Sequence, residues 1–370
     1  MKHKLFDLRG QDGELEGELV AALASVVRSG SFVLGPEVKA FEQEMADLCQ
    51  SRFALGVASG TDALVLALKA FDVGPGDEVI VPPFTFGATA GAVAWAGATP
   101  VFADIDPETL NIDPSAVETA ITSRTKAVIA VHLFGLPAPM DRLRELTSER
   151  GIALIEDAAQ AILAEQGGRR AGSMGDIACL SFYPTKNLGA YGDGGMVLCS
   201  SPDLHEKLGW LRAHGSVRRY IYDHVGTNSR LDEMQAAILR RKLTRLEEWT
   251  EARRRNAGAL TGSLGDLEEV RAPVEPPGSR HVYHLYTIRV ADPDGLGEAL
   301  GRAGVATGRY YPAPLHLMPA FSDNHEEGDF PVSEAAARSC LALPVHPALT
   351  LEAVDEIALA VRSALTRHEA

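Results

Sequence analysis

A lysine in a glycine-rich loop and an aspartate at the end of an apolar strand are the two residues best suited to chemistry in this chain. The lysine is Lys186, within Ser181-Phe182-Tyr183-Pro184-Thr185-Lys186-Asn187-Leu188-Gly189, followed by Gly192-Asp193-Gly194-Gly195. An amine set after an apolar strand and among glycines is placed to form a Schiff base rather than to sit in water. The aspartate is Asp157, which closes the apolar run Ile152-Ala153-Leu154-Ile155-Glu156 and opens Ala158-Ala159-Gln160. A carboxylate there can face the ring nitrogen of a pyridine. Together the two residues point to pyridoxal phosphate (PLP), which makes four demands on a protein.

Its phosphate wants free amides at a helix N-terminus. Ala58-Ser59-Gly60-Thr61-Asp62-Ala63-Leu64 follows a strand and opens a helix, with Gly60 permitting close backbone approach and Thr61 offering a hydroxyl. Alone, the same run reads as an ordinary N-cap. The ring nitrogen wants an anion to keep it protonated, and Asp157 fits, although a strand-end aspartate serves equally as a helix cap or metal ligand. Gln160 falls on the same side if a helical turn follows, within reach of the phenolic oxygen or of loop backbone. The ring face wants a flat apolar partner. Pro82-Pro83-Phe84-Thr85-Phe86 comes directly after a strand, at the edge where ligands enter such sheets, and Phe86 is the stacking candidate, with a core aromatic as the alternative. The aldehyde wants an amine of depressed pKa, which Lys186 supplies, and Ser181 adds a candidate phosphate contact.

The elements that must position these residues alternate from about residue 53 to 200. Apolar runs at Phe53–Val57, Glu78–Val81, Pro100–Ala103, Ala127–Val131, Ala153–Glu156, Ile177–Ser181 and Met196–Cys199 read as strands. Helical patterns at Thr61–Phe71, Pro114–Ile121 and Met140–Arg150 lie between them. This predicts an α/β fold: a large PLP-binding domain with a mostly parallel central sheet covered by helices, mixed at its last strands. A helical tract follows from Leu231 to about Leu264. Beyond it, a strand at His284–Val290 and helices at Asp294–Ala303 and Glu352–Ala364 predict a smaller C-terminal α+β domain. The expected domains are 1–248 and 249–370.

Composition narrows the function. The chain has 370 residues, 46% hydrophobic and 23% charged, as in a soluble globular enzyme. A net charge of −15 argues against nucleic-acid binding and requires a local arginine cluster for any anionic substrate. The cysteines (Cys49, Cys179, Cys199, Cys340) show no CxxC spacing, so reduced thiols in a cytoplasmic protein are expected. The N-terminus carries no apolar signal region, and the uncharged stretch Phe84–Ala103 reads as a buried helix and strand rather than a membrane span. No metal is expected, because neither HExxH nor clustered carboxylate–histidine spacing occurs.

The ordered motifs resemble those of the DegT/DnrJ/StrS-type sugar aminotransferases, a branch of the fold-type I, aspartate aminotransferase-like PLP enzymes. The resemblance runs from Gly30-Ser31-Phe32-Val33-Leu34-Gly35-Pro36-Glu37-Val38 through Ala58–Leu64, Pro83–Ala88, Val131-His132-Leu133-Phe134-Gly135, Ile155–Gln160, Ser181–Gly195 and Asn228–Ala237 to Tyr310-Tyr311-Pro312 and His316. It implies an aminotransferase cycling between PLP and pyridoxamine phosphate (PMP), with an amino acid, commonly glutamate, as donor and a dTDP- or UDP-linked keto sugar as acceptor. It further implies a homodimer with shared active sites, Asn228 reaching the neighbouring subunit's cofactor phosphate. Arg218, Arg219 and Arg230 would meet a pyrophosphate or carboxylate, and Tyr183, Tyr310, Tyr311 and His316 would line the sugar pocket. The segment around Arg218 and Asn228 is more like members that aminate C3 than those that aminate C4. The rival readings are a 4-keto sugar nucleotide aminotransferase, a PLP-dependent sugar dehydratase with histidine in place of Lys186, and a non-catalytic regulator.

Overall fold

Seven strands build the central sheet of the computed structural model, which describes residues 1–218 and 220–366. They are β1 (Phe53–Val57), β2 (Glu78–Val81), β3 (Thr99–Phe102), β4 (Thr125–Val131), β5 (Ala153–Asp157), β6 (Ile177–Ser181) and β7 (Gly195–Cys199). Across the sheet they run β1-β7-β6-β5-β4-β2-β3. Neighbours from β6 through β3 are parallel, whereas β7 is antiparallel to both β6 and β1. The mixed end therefore lies where the sequence brings strands close together.

Alternate residues of each strand feed opposite layers, as the two-residue period of a pleated strand requires. Ile80, Val128, Leu154, Ala178 and Met196 pack on one face. Val79, Val81, Ile129, Ile155, Cys179 and Val197 pack on the other. Helices cover both. Labelling helices of seven residues or more, they are α1 (Glu16–Ser29), α2 (Pro36–Leu48), α3 (Gly60–Ala70), α4 (Ala88–Ala96), α5 (Pro114–Ala120), α6 (Met140–Ser148), α7 (Pro202–Leu211), α8 (Glu233–Leu243) and α9 (Leu246–Leu264). The stretch Phe84–Ala103 thus divides into α4 and β3, and no helix among the described residues is long and apolar enough to cross a membrane.

A second apolar core gathers α9 with β8 (Tyr286–Arg289), α10 (Pro293–Arg302), β9 (Cys340–Leu343) and α12 (Leu351–Thr366). Strands β8 and β9 are antiparallel, and α11 (Pro331–Ser339) leans toward the large sheet. There Asp104, just past β3, accepts the amides of Val332 and Ser333 at 3.0 Å each and so caps α11. Two features cross the expected division at 248/249. Helix α9 runs through that position without a break. The first residues also pair with the C-terminal core: Lys2 and His3 donate to the Gly304 carbonyl, and Ala306 donates back to His3. All four cysteines are buried and unpaired.

Candidate active site

Strands β1, β2, β4, β5 and β6 end at one edge of the sheet, and a cavity of about 740 Å³ opens there. This is the edge at which open α/β sheets receive ligands. Its walls include Gly60 and Thr61 at the start of α3, Phe86 before α4, Asp157 and Gln160 after β5, Ser181, Tyr183 and Lys186 after β6, and Tyr310 and Tyr311 from the C-terminal core. Residues read separately from the sequence are thereby brought to one space.

The α3 end of the cavity is built for an anion. Ser59 is extended and its hydroxyl accepts the Asp62 amide at 3.1 Å, so the chain enters the helix cleanly. The amides of the first turn have no partner within a helix and carry the positive end of its dipole. Gly60 is needed here for space: a Cβ at that position would come within 2.8 Å of the Ser181 Cβ. Loop and helix start thus close into a cradle, with Thr61 exposed at its mouth.

Asp157, 6% exposed, forms the deep wall. Its Oδ2 accepts the Thr89 hydroxyl at 2.9 Å, and its Oδ1 accepts the Ala159 amide at 3.3 Å. Burial pushes its carboxyl up from the usual carboxylate value, against the pull of Thr89, Ala159 and Lys186. Glu156, next in the strand, faces the opposite layer and is wholly buried. It accepts the amides of Gly172, Met174 and Gly175 and faces His132 Nε2 at 2.9 Å. Burial alone would raise its carboxyl; the His132 hydrogen bond and these amides hold it below the usual range. His132 Nδ1 accepts the Ala138 amide, so Nε2 carries the ring proton and donates to Glu156. This network fixes the end of β5 from behind.

Lys186 lines the same cavity, half-buried, its amide donating to the Tyr183 carbonyl at 2.8 Å. Burial pulls its amine down to about 8, although the Asp157 charge works the other way. An amine at that value is about one-tenth unprotonated at pH 7, a far larger share than an ordinary lysine offers, and the unprotonated form is what a carbonyl-capturing nucleophile requires. Gln160 is engaged at both ends, accepting the Phe134 amide at 2.7 Å and donating to the Tyr311 hydroxyl at 3.3 Å. Phe86 is 61% exposed, whereas Phe84 beside it is fully buried, so Phe86 is an aromatic face turned to the cavity.

Other expected residues lie elsewhere. Arg218 sits exposed on a hairpin (Ser216–Arg218 with Ile221–Tyr222), Arg219 lies outside the described residues, and Arg230 is absent from the cavity wall. Asn228 is exposed and away from the cavity of its own chain. His316 is completely buried, with Nε2 3.2 Å from Glu334 and its ring packed on Phe330, and does not reach the cavity. Conversely, Thr89, His284 and Phe6 went unread. Phe6 and His284 line the cavity and stack at 6.1 Å. The i, i+4 spacing of Thr85 and Thr89, bonded at 3.2 Å, was the available signal for the threonine, and an uncharged helix start hides it. Among the described residues no group of three or more His, Cys, Asp or Glu is arranged to hold a metal ion.

An amine and a buried carboxylate lining one cavity, with an anion cradle beside them, suit a transaminase that works through PLP, and fold and cavity assign the chain to that class. A model of the DegT/DnrJ/EryC1/StrS aminotransferase family matches residues 14–362, and the chain belongs to that family. It is 48% identical over 357 residues to a pleiotropic regulatory protein of Geobacillus stearothermophilus, covering 95% of both chains. It is 45% identical over 361 residues to a UDP-N-acetyl-3-dehydro-alpha-D-glucosamine 3-aminotransferase of Acidithiobacillus ferrooxidans, covering 98% of this chain and 97% of that one. The crystal structure of S. venezuelae DesV in complex with a ketimine intermediate matches with a TM-score of 0.95 at 45% identity, covering 97% of each chain.

Proposed function

We propose that the chain moves an amino group from an amino acid, L-glutamate in the first instance, to C3 of a nucleotide-linked 3-keto sugar. The observation that carries this reading is the cavity holding both Lys186 and Asp157; the A. ferrooxidans relative, named a 3-aminotransferase, supports the position on the sugar. The first turn of α3, with Gly60, Thr61 and Ser181, would hold the phosphate; Asp157 would meet the ring nitrogen, Phe86 the ring face, and Gln160 the phenolic side. When bound, PLP supplies an electron sink for the negative charge that develops at the donor's Cα. Asp157, held by the Thr89 hydroxyl, would keep the ring nitrogen of the bound group protonated. Lys186 Nζ, with its depressed pKa, takes the Cα proton as base and returns one as acid. Tyr183, Tyr310 and Tyr311 face the space left for the sugar.

The remaining expectations belong to the same reading. The active enzyme is a cytoplasmic homodimer with shared sites, in which Asn228 serves the neighbouring cofactor phosphate and Arg218, Arg219 and Arg230 meet the sugar nucleotide. The exposure of Asn228 and of Val225 (97%) supports a second copy packing there. The family's regulatory-named relative keeps a sensor role in view, but a complete amine–carboxylate pair favours catalysis. The test is to incubate PLP-loaded protein with glutamate and a panel of dTDP- and UDP-linked 3-keto and 4-keto sugars, reading amino sugar by mass. Product from 3-keto acceptors is expected. Product from 4-keto acceptors alone would move the assignment to C4, and no product from any acceptor would favour the sensor.

A further inference from the structure

Beneath the loop that carries Lys186 lies a buried ion pair with no part in the reaction as described. Lys242 on α8 is 2% exposed and Asp12 is 6% exposed. Lys242 Nζ lies 2.7 Å from Asp12 Oδ2 and donates to the Gly189 carbonyl at 2.8 Å. Tyr191 donates its hydroxyl to the same Asp12 oxygen at 3.0 Å, and its ring lies 4.3 Å from the Lys242 amine. Two turns earlier on α8, Gln235 takes the Tyr191 amide at 2.9 Å and gives to the Tyr191 carbonyl at 3.1 Å. The second Asp12 oxygen is buried without a partner. The backbone between Lys186 and Gly194 is therefore held at Gly189 and Tyr191 by one helix and one carboxylate.

A pair of this kind is a poor way to gain stability. Desolvating two charges consumes most of what their attraction returns, and apolar residues of like volume commonly do as well or better. What the pair adds is direction, because an ammonium with two acceptors and a ring to satisfy tolerates few positions of the loop above it. We propose that Lys242, through Asp12 and Tyr191, is a positioning residue for Lys186, fixing the reach of its amine across the cavity. The inference rests on Lys186 being the residue that binds PLP.

The test replaces the pair whole, as Asp12→Leu/Lys242→Met, so that no lone charge is left buried. The parent, the double variant and Tyr191→Phe are compared as PLP-loaded proteins. The double variant is expected to melt at or above the parent temperature and to keep bound PLP. Its visible-absorbance titration midpoint should move by on the order of one pH unit. The Ala190 and Tyr191 amides should exchange faster, and kcat should fall about tenfold to hundredfold with KM little changed. Tyr191→Phe, which leaves both charges in place, should shift the titration in the same direction by less. It serves as the reading if the double variant does not fold. Parent-like titration, amide exchange and kcat in either readable variant overturn the proposal and leave the pair as packing. Lys186→Ala retaining the PLP chromophore would instead sink the functional assignment, so the two failures are separable.

Discussion

His284 and Asn187 are joined by a hydrogen bond that fixes the tautomer of one from the orientation of the other. Asn187 Nδ2 donates to the Val282 carbonyl at 3.1 Å, which leaves its Oδ1 as the acceptor toward His284 Nδ1 at 3.2 Å. The His284 proton is thus on Nδ1, and Nε2 keeps its lone pair on a ring that lines the cavity. Burial, with the charges of Lys186 and Arg253, holds this imidazole well below its ordinary pKa. It therefore accepts a hydrogen bond but takes no proton from an amine near 8. His284→Phe preserves the stacking on Phe6 and removes both nitrogens. The expected result is a folded enzyme with kcat/KM lower by about tenfold; full activity would show the bond to be dispensable.

The depressed Lys186 amine sets a pH dependence. Its folded value, about 8, lies below the ordinary 10.5, so the unprotonated nucleophile accumulates as pH rises through 8. Capture of PLP by stripped protein, followed by stopped-flow absorbance, should accelerate from pH 6.5 to 8.5 and level off above. A rate flat across that range contradicts the assignment of Lys186 as the capturing amine.

Asp157 and Thr89 predict a second profile. Asp157→Asn keeps the shape but cannot hold a proton on the ring nitrogen, and kcat should fall by about 10²–10⁴. Thr89→Val removes one donor to the carboxylate, which raises its pKa further. Because activity needs the ionised form, the acid limb of the kcat profile should then move to higher pH. An unmoved limb would detach Thr89 from the chemistry.

Glu233 offers a stability test away from the cavity. Its buried carboxylate accepts the Glu37 and Val38 amides at 3.0 and 2.8 Å, capping α2 from α8. Glu233→Ala orphans both amides and should cost about 1–3 kcal/mol, read as a lower denaturation midpoint at unchanged slope.

What the sequence disclosed follows from how local each signal is. Strands β1, β2 and β6 lie where their apolar runs place them, because a strand buried on both faces needs an unbroken apolar stretch and a turn at its end. That Lys186 and Asp157 come to one cavity was legible because Lys186 sits in a glycine-rich loop after an apolar strand and Asp157 closes another. Thr89 and His284 were not, since their partners stand 68 and 97 residues away and a buried threonine or histidine looks like any other core residue. For Arg218, Arg219 and Arg230, residue type marks candidates for meeting an anion, but type alone cannot say which copy's cavity they serve.

Because Lys2 and His3 share hydrogen bonds with Gly304 and Ala306, and α9 spans the 248/249 position, the chain leaves the C-terminal core near its start and re-enters it through α9. The sheet-bearing unit is therefore spliced into the other rather than strung before it. Losing the outer unit would slacken both ends of the inserted one at once. Scission at 248/249 should yield two fragments that refold poorly apart, and heating should produce one endotherm instead of two.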